Sequence, residues 1–130
     1  PAHVVRATLE AIAYQTKDVA EAMIEDSGIE LSDLRVDGGA VKNNFLCQLQ
    51  ADIVDTEIVR PVVDETTALG SAYAAGLAVG YWETVDELRN NWQVDREFEP
   101  DEEADYTEEF ERWHDAVDRS MGWAQSSGDE

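Results

Sequence analysis

The stretch LRVDGGAVKNNFL, residues 34–46, reads as a short buried strand that runs through two glycines into a helix. The strand is LRVD at 34–37, and the helix is predicted from Ala40 to about Val54 because apolar residues recur along it at helical spacing. The apolar face of this helix is formed by Phe45, Leu46, Leu49 and Ile53. A strand that feeds a helix in this way is typical of α/β folds, and it determines the predicted fold class.

Regular elements are predicted on both sides of this unit. A long amphipathic helix covers residues 3–26 and ends at Gly28, a second strand is TEIVRP at 56–61, and a further helix covers 66–79. The apolar stripe of the first helix consists of Val5, Leu9, Ile12, Val19, Met23 and Ile24. Later elements are a helix opened by the capping box TVDE at 84–87, an edge strand or extended arm within 92–100, and an amphipathic helix from Thr107. The order predicts an α/β arrangement that is mostly helical, with two or three short strands.

The length of 130 residues and the 43% hydrophobic content suit one domain with an ordinary core. Because the chain opens directly in a helix without Met or a signal-like segment, and because two strands are few for a sheet, we expect it to be a piece of a longer chain. The uncharged stretch at 66–82 is too short for a membrane span and is expected to be a buried helix. The single Cys47 cannot form an internal disulfide, and the predicted location is the cytoplasm.

The charge balance is strongly acidic, with 30 Asp and Glu against 9 Lys and Arg and a net charge of -21. Such a surface repels nucleic acid and anionic membranes, so neither is an expected partner. One explanation is an acidic interaction tail, since the densest acidic run lies at 95–111. The other, which we favour because acids also recur along 1–65, is adaptation to a salt-accumulating halophilic cytoplasm, where salt screens the self-repulsion.

The glycine pair has two interpretations from spacing alone. Gly38 and Gly39 can simply make a sharp turn with positive φ, or they can open a binding surface at the carboxyl end of a strand, where α/β folds receive ligands. In the second interpretation, Asn43 lies four residues after Gly39 on the first helical turn and can hydrogen-bond a ligand. The carboxylate of Asp37 disfavours the binding of a phosphate there and favours a sugar hydroxyl or a base.

Other chemical signatures are weak or absent in the sequence. No GxxxxGK[ST] or GxGxxG motif occurs, and Lys42 is interpreted as an exposed helix lysine rather than a phosphate ligand. Cys47 lies among core-like positions and is interpreted as a packed thiol. His3 and His114 belong to no spaced ligand cluster, so the sequence predicts neither a metal site nor a catalytic residue.

Three segments in this order, HVVRATLEAIAYQTKDVAEAM, LRVDGGAVKNNFLCQLQADI and RPVVDETTALGSAYAAGLAVGYW, resemble the carboxyl-terminal quarter of the FGGY carbohydrate kinases. Within that family they resemble the glycerol kinases more than the xylulose or gluconate kinases. The resemblance extends to about residue 123. It implies a partial actin-like ATPase (ribonuclease-H-like) second domain over residues 1–123, and residues 124–130 are predicted to be a flexible tail.

The resemblance also implies a function, namely the transfer of a phosphoryl group from ATP to glycerol with Mg²⁺ and a cleft formed with the rest of the kinase chain. Carried over by position, Gly39 and Asn43 would contact the nucleotide and Gly38 would shape the turn. The family's phosphate loops, catalytic base and polyol ligands lie upstream of the match, so this chain alone is expected to be inactive and its metal contacts to lie elsewhere. A homo-oligomer is expected. The alternatives are a kinase of another polyol or sugar, or a non-catalytic acidic interaction module.

Overall fold

The computed structural model describes residues 1–122. The elements of this part of the chain are, in order, α1 (Ala2–Ser27), β1 (Asp33–Arg35), a 3-10 turn (Gly39–Lys42), α2 (Asn44–Val54), β2 (Glu57–Pro61), α3 (Thr66–Ala78), α4 (Val85–Arg89), β3 (Val94–Phe98) and α5 (Thr107–Ser120). The predicted order of elements is confirmed. The tail predicted at 124–130 lies outside the described residues.

The three strands form one mixed sheet in the order β1-β2-β3. The pair β1 and β2 is parallel, with Leu34 opposite Ile58, and β3 runs antiparallel to β2, with Phe98 opposite Ile58. The register of the second pair shifts between Arg60 and Pro61. The predicted fold class, mostly helical with two or three short strands, is confirmed, and β3 is the edge strand that the sequence predicts.

The core consists of two clusters on either side of α2, because buried residues occur all around this helix. One cluster packs α2 against the sheet and comprises Val41, Cys47, Ala51, Ile58 and Phe98. The other packs α2 against α1 and α5 and comprises Ala13, Tyr14, Leu49 and Ile53, with Phe110 and Trp113 at its edge. The predicted apolar face of α2 is therefore buried except for Phe45, which is half exposed.

The apolar stripe predicted for α1 is not the face that is buried. Val5, Val19 and Met23 are 58 to 60% exposed, whereas Ala13 and Ala20 are buried against the rest of the chain. Small side chains let α1 approach α2 closely, and this close approach turns the bulkier stripe outward. The prediction of helix bounds is confirmed, including the left-handed Gly28 at the end, and of the predicted stripe Leu9 and Ile24 are partly buried while the other residues are exposed.

The helix α3 has the predicted bounds, yet none of its residues is buried. Its contact with Trp82 is close: a Cβ on Gly76 would lie 2.3 Å from the indole ring. The expectation of a buried helix is thus wrong for the described part of the chain, because small apolar residues make burial possible but do not supply a partner. No helix within residues 1–122 is long and apolar enough to cross a membrane.

The capping box before α4 is confirmed with a small change in its pairing. Thr84 Oγ1 accepts from the Glu87 amide at 3.3 Å, as the motif predicts, while the Glu87 carboxylate accepts from the Glu83 amide at 2.9 Å. The helix after it precedes β3 in the chain.

Candidate functional site

The glycine turn lies where two parallel strands end. The loop after β1 and the loop between β2 and α3 are held together by two hydrogen bonds. The Gly38 amide donates to the Asp64 carbonyl at 2.7 Å, and the Thr66 hydroxyl donates to the Asp37 carboxylate. The carboxyl edge of a parallel pair is the usual position for a ligand in open α/β sheets, so this edge is the candidate site.

Gly38 determines the shape of the turn. Its backbone angles, φ 87° and ψ 167°, lie in a region that is essentially restricted to glycine. Its N–H donates to the Asp64 carbonyl and is therefore not free to bind a ligand. Gly38 therefore has a structural role in the turn.

Gly39 differs from its neighbour in backbone conformation. It is exposed, its φ is outside the left-handed region, and a Cβ built on it would meet nothing within 4 Å among residues 1–122. The described chain thus gives neither a conformational nor a steric reason for glycine at this position. What glycine does provide here is open space beside the turn.

Asn43 occupies a different position from the one predicted. Residues 39–42 form a 3-10 turn, Asn43 itself is extended with φ -81° and ψ 105°, and α2 begins only at Asn44. The prediction that Asn43 lies on the first turn of a helix starting at Ala40 is therefore wrong. The physical reason is that Asn is a strong N-cap, so the chain enters the α-helix after this residue.

The cap fixes which end of the Asn43 amide faces outward. Its Oδ1 accepts from the Phe45 amide at 3.0 Å and from the Leu46 amide at 3.3 Å. Both lone pairs of the oxygen are thereby used, and Nδ2 is the part of this exposed side chain that can meet a ligand. Asn43 can therefore donate to a ligand acceptor, such as a ring nitrogen or a ribose oxygen.

Arg60 on β2, which the sequence analysis did not identify, hydrogen-bonds to the turn. Its Nη1 donates to the Val41 carbonyl at 2.9 Å and to Asn44 Oδ1 at 2.8 Å, while its Nε donates to Asp95 Oδ2 at 2.8 Å. The side chain is only 13% exposed. An arginine before the proline that ends a strand gives no sequence signal for these contacts, because its partners lie 16 to 35 residues away along the chain.

Cys47 is fully buried beneath the same turn, where its Sγ donates to the Val41 carbonyl at 3.2 Å. Burial raises the pKa of the Cys47 thiol, so the group stays protonated near neutral pH. These observations agree with the interpretation of a packed thiol and not with a nucleophile.

The electrostatics of the turn disfavour a phosphate group. The carboxylates of Asp37 and Asp64 lie at the two loops. Of the cations near them, Lys42 is paired with Asp64 at 3.2 Å and mostly exposed, and Arg60 is paired with Asp95. Among residues 1–122 no cluster of three or more His, Cys, Asp or Glu side chains is placed to hold a metal ion. The site thus offers open space at Gly39 and a hydrogen-bond donor at Asn43.

Comparison with known proteins gives the family. The sequence pattern of the "FGGY family of carbohydrate kinases, C-terminal domain" matches residues 1–79, which is more than half of the chain and includes the glycine turn. The chain belongs to the FGGY family of carbohydrate kinases. The predicted family membership is therefore confirmed.

Individual relatives of this FGGY chain are glycerol kinases. It is 76% identical over 124 residues to the glycerol kinase of Haloquadratum walsbyi, a match that covers 95% of this chain and 24% of that protein. The chain thus spans about a quarter of the length of the curated relatives it matches. The halophilic hosts of these relatives support the halophile interpretation of the acidic composition.

Solved structures give the same fold. The crystal structure of Plasmodium falciparum glycerol kinase with ADP superposes with a TM-score of 0.73 and 34% identity, over 92% of this FGGY chain and 24% of that one. A ligand-bound xylulose kinase from Lactobacillus acidophilus superposes with a TM-score of 0.77 at 22% identity, over 94% of this chain and 25% of that one. The predicted actin-like ATPase fold is confirmed by these neighbours.

Proposed function

We propose that this chain forms the adenosine side of the ATP site of a glycerol kinase, which transfers the γ-phosphoryl group of ATP to glycerol and yields glycerol 3-phosphate and ADP. Gly39 and Asn43 contact the nucleoside, and Gly38, which precedes them, shapes the turn. Residues 1–123 form the carboxyl-terminal part of the second kinase domain. The remaining three quarters of the length of its relatives supply the other parts of the site.

The observation that carries the proposal is the unexplained glycine at 39 beside the outward Nδ2 of Asn43. Glycine at this position has no conformational role in the turn and fills no tight space within the described chain, but it leaves room for an adenine or ribose ring. An adenine presents ring nitrogens that accept hydrogen bonds, and Asn43 presents a donor. The similarity to glycerol kinases, one of them solved with ADP, supports adenosine as the nucleoside and glycerol as the acceptor.

Phosphoryl transfer also requires groups that hold the phosphates, a Mg²⁺ ion and a residue that orients the attacking hydroxyl. We propose that these lie outside this chain, which by itself does not phosphorylate glycerol. The enzyme is expected to act in the cytoplasm and as a homo-oligomer.

The test is kinetic and uses a chimera in which this chain replaces the matching quarter of the Haloquadratum walsbyi glycerol kinase. Gly39→Ala places a methyl group on the proposed nucleoside surface, and Asn43→Asp keeps the helix cap but replaces the Nδ2 donor with an acceptor. Each change should raise the KM for ATP by about tenfold, the size of effect expected when one good contact to a bound substrate is lost. The KM for glycerol and the unfolding midpoint should stay the same.

Two controls separate binding from folding. Gly70→Ala adds a methyl group to the exposed face of α3 in equally open space, and it should leave both Michaelis constants unchanged. Asn43→Ala removes the cap together with the donor, so it should lower stability as well as ATP affinity. An unchanged ATP KM in both Gly39→Ala and Asn43→Asp would overturn the site assignment, and a chimera that prefers another polyol or sugar to glycerol would overturn the substrate.

A further inference from the structure

Arg60 contacts both flanks of Asn43 without contacting Asn43 itself. One guanidinium nitrogen, Nη1, donates to the Val41 carbonyl two residues before it and to the Asn44 side chain directly after it, at 2.9 and 2.8 Å. The 3-10 turn and the first residue of α2 are thus both hydrogen-bonded to one side-chain nitrogen of a residue on β2. This arrangement fixes the backbone that carries Gly39 and the cap.

The other side of the guanidinium is fixed as well. Nε and Nη2 of Arg60 pair with Asp95 Oδ2 at 2.8 and 2.7 Å. The guanidinium carbon Cζ lies over the Phe98 ring, 5.3 Å from its centroid. Asp95 and Phe98 both lie on β3, the edge strand. Because an arginine presents several donors in a rigid plane, it can hold the turn and the strand at once, which a lysine cannot do.

We propose that Arg60 is a positioning residue for the nucleotide, which transmits the rigidity of the β2–β3 pair to the turn that receives the nucleoside. This inference rests on the proposed function, since it concerns the same site. In its absence the loop keeps its sequence and its cap, but the outward donor of Asn43 and the surface of Gly39 are no longer held in one geometry. Misplacement of a binding group by about 1 Å is sufficient to weaken its contact strongly.

The sheet supplies a matched control for this residue. Arg96 lies opposite Arg60 on β3, and its guanidinium also packs against Phe98, at 4.8 Å from the centroid. Arg96 donates no hydrogen bond to the turn among the contacts of residues 1–122. Replacing either arginine by methionine therefore removes a charge and a cation–π contact from the same ring. Only the change at Arg60 also removes the turn contacts and the pair with Asp95.

The kinetic test uses the same chimera. Arg60→Met should raise the KM for ATP about tenfold with kcat and the KM for glycerol within about twofold, which is the pattern of lost substrate binding. Arg60→Lys should raise the KM for ATP by a similar factor, and Arg96→Met should leave it unchanged. Added guanidinium ion should partly restore the KM for ATP of Arg60→Met but not that of Asn43→Asp. A fall of kcat and stability together, or equal effects of Arg60→Met and Arg96→Met, would overturn the positioning role.

A second measurement does not depend on activity. In the 130-residue chain itself, amide hydrogen exchange at Val41 and Asn43, whose N–H groups are bonded within the 3-10 turn, should accelerate at least about tenfold in Arg60→Met and stay unchanged in Arg96→Met. Unchanged exchange in Arg60→Met would overturn the inference. The proposed function would fail separately, through an unchanged ATP KM in Gly39→Ala and Asn43→Asp.

Discussion

At the scale of single residues, the two adjacent glycines have different reasons for being glycine. Gly38 adopts a backbone conformation that other residues reach only with strain, whereas Gly39 adopts an ordinary one in open space. A pair of glycines in the sequence cannot reveal this difference, because a glycine required by the backbone and a glycine required by a ligand look the same in the sequence. The distinction separates a residue that the fold needs from a residue that we propose lies against the nucleoside.

Stability measurements on two alanine variants test this distinction. Gly38→Ala should lower the free energy of unfolding by about 1–3 kcal/mol, since it forces a side chain into a strained region. Gly39→Ala should be neutral or stabilise by less than about 1 kcal/mol, because alanine fits the same backbone angles and reduces the entropy of the unfolded chain. Urea unfolding in one buffer gives both values, and a loss in Gly39→Ala as large as that in Gly38→Ala would contradict the assignment.

At the scale of elements, the contact between α1 and α5 includes a polar link through Asp18 beside the aromatic packing of Tyr14. One oxygen of this carboxylate accepts from Trp113 Nε1 at 3.0 Å, and the other is 2.6 Å from His114 Nε2. The Asp18 partner raises the pKa of His114 above its ordinary value of 6.5, and the nearby Glu21 and Asp118 act in the same direction. The charged histidine therefore favours the docked position of α5.

This pair predicts a pH dependence with a definite sign. The folded-state pKa of His114 is raised, so its stabilising contribution is fully present below pH 6.5 and is lost as the pH rises through the folded-state pKa. The effect is modest because the ring is exposed and screened by solvent. Unfolding midpoints between pH 5.5 and 8.5 should fall for the unmodified chain and vary less for His114→Gln. Identical profiles in the two proteins would contradict the role of this pair.

The elements also show what the sequence could and could not predict. Helix and strand positions follow from periodicity and punctuation, which are local, and so α1, β2 and α3 have the predicted bounds within one or two residues. The predicted start of α2 is wrong because four residues, 39–42, form a 3-10 turn before the cap at Asn43. The tandem asparagines at 43 and 44 are a cap signal that could have indicated it. The contacts of Arg60 and the outward stripe of α1 depend on tertiary packing, which no local pattern encodes.

At the scale of the whole molecule, much apolar surface has no partner within residues 1–122. The α1 stripe is more than half exposed at Val5, Val19 and Met23, and α3 buries no residue. The chain spans 24% of the length of its relatives. We expect the rest of such a longer protein to bury apolar surface that is exposed here. The net charge of -21 opposes association in dilute buffer, but molar salt screens it.

We therefore expect the isolated chain to self-associate in molar salt. Sedimentation over a hundredfold concentration range should show species larger than the monomer, because exposed apolar patches of this kind favour association. The double variant Val19→Gln, Met23→Gln should shift the distribution toward the monomer, whereas Glu108→Gln on the polar face of α5 should not. A clean monomer for the unmodified chain at every concentration would contradict this expectation.

The central claim is that the glycine turn receives a nucleoside and not a phosphate chain. The most direct test is an NMR titration of the 130-residue chain with adenosine and, separately, with inorganic tripolyphosphate at equal ionic strength. Adenosine should shift the backbone amides of Gly39 and Ala40 and the side-chain amide of Asn43 in a saturable way, and tripolyphosphate should leave them in place. Saturable shifts of these signals with tripolyphosphate, or adenosine shifts confined to other residues, would contradict the claim.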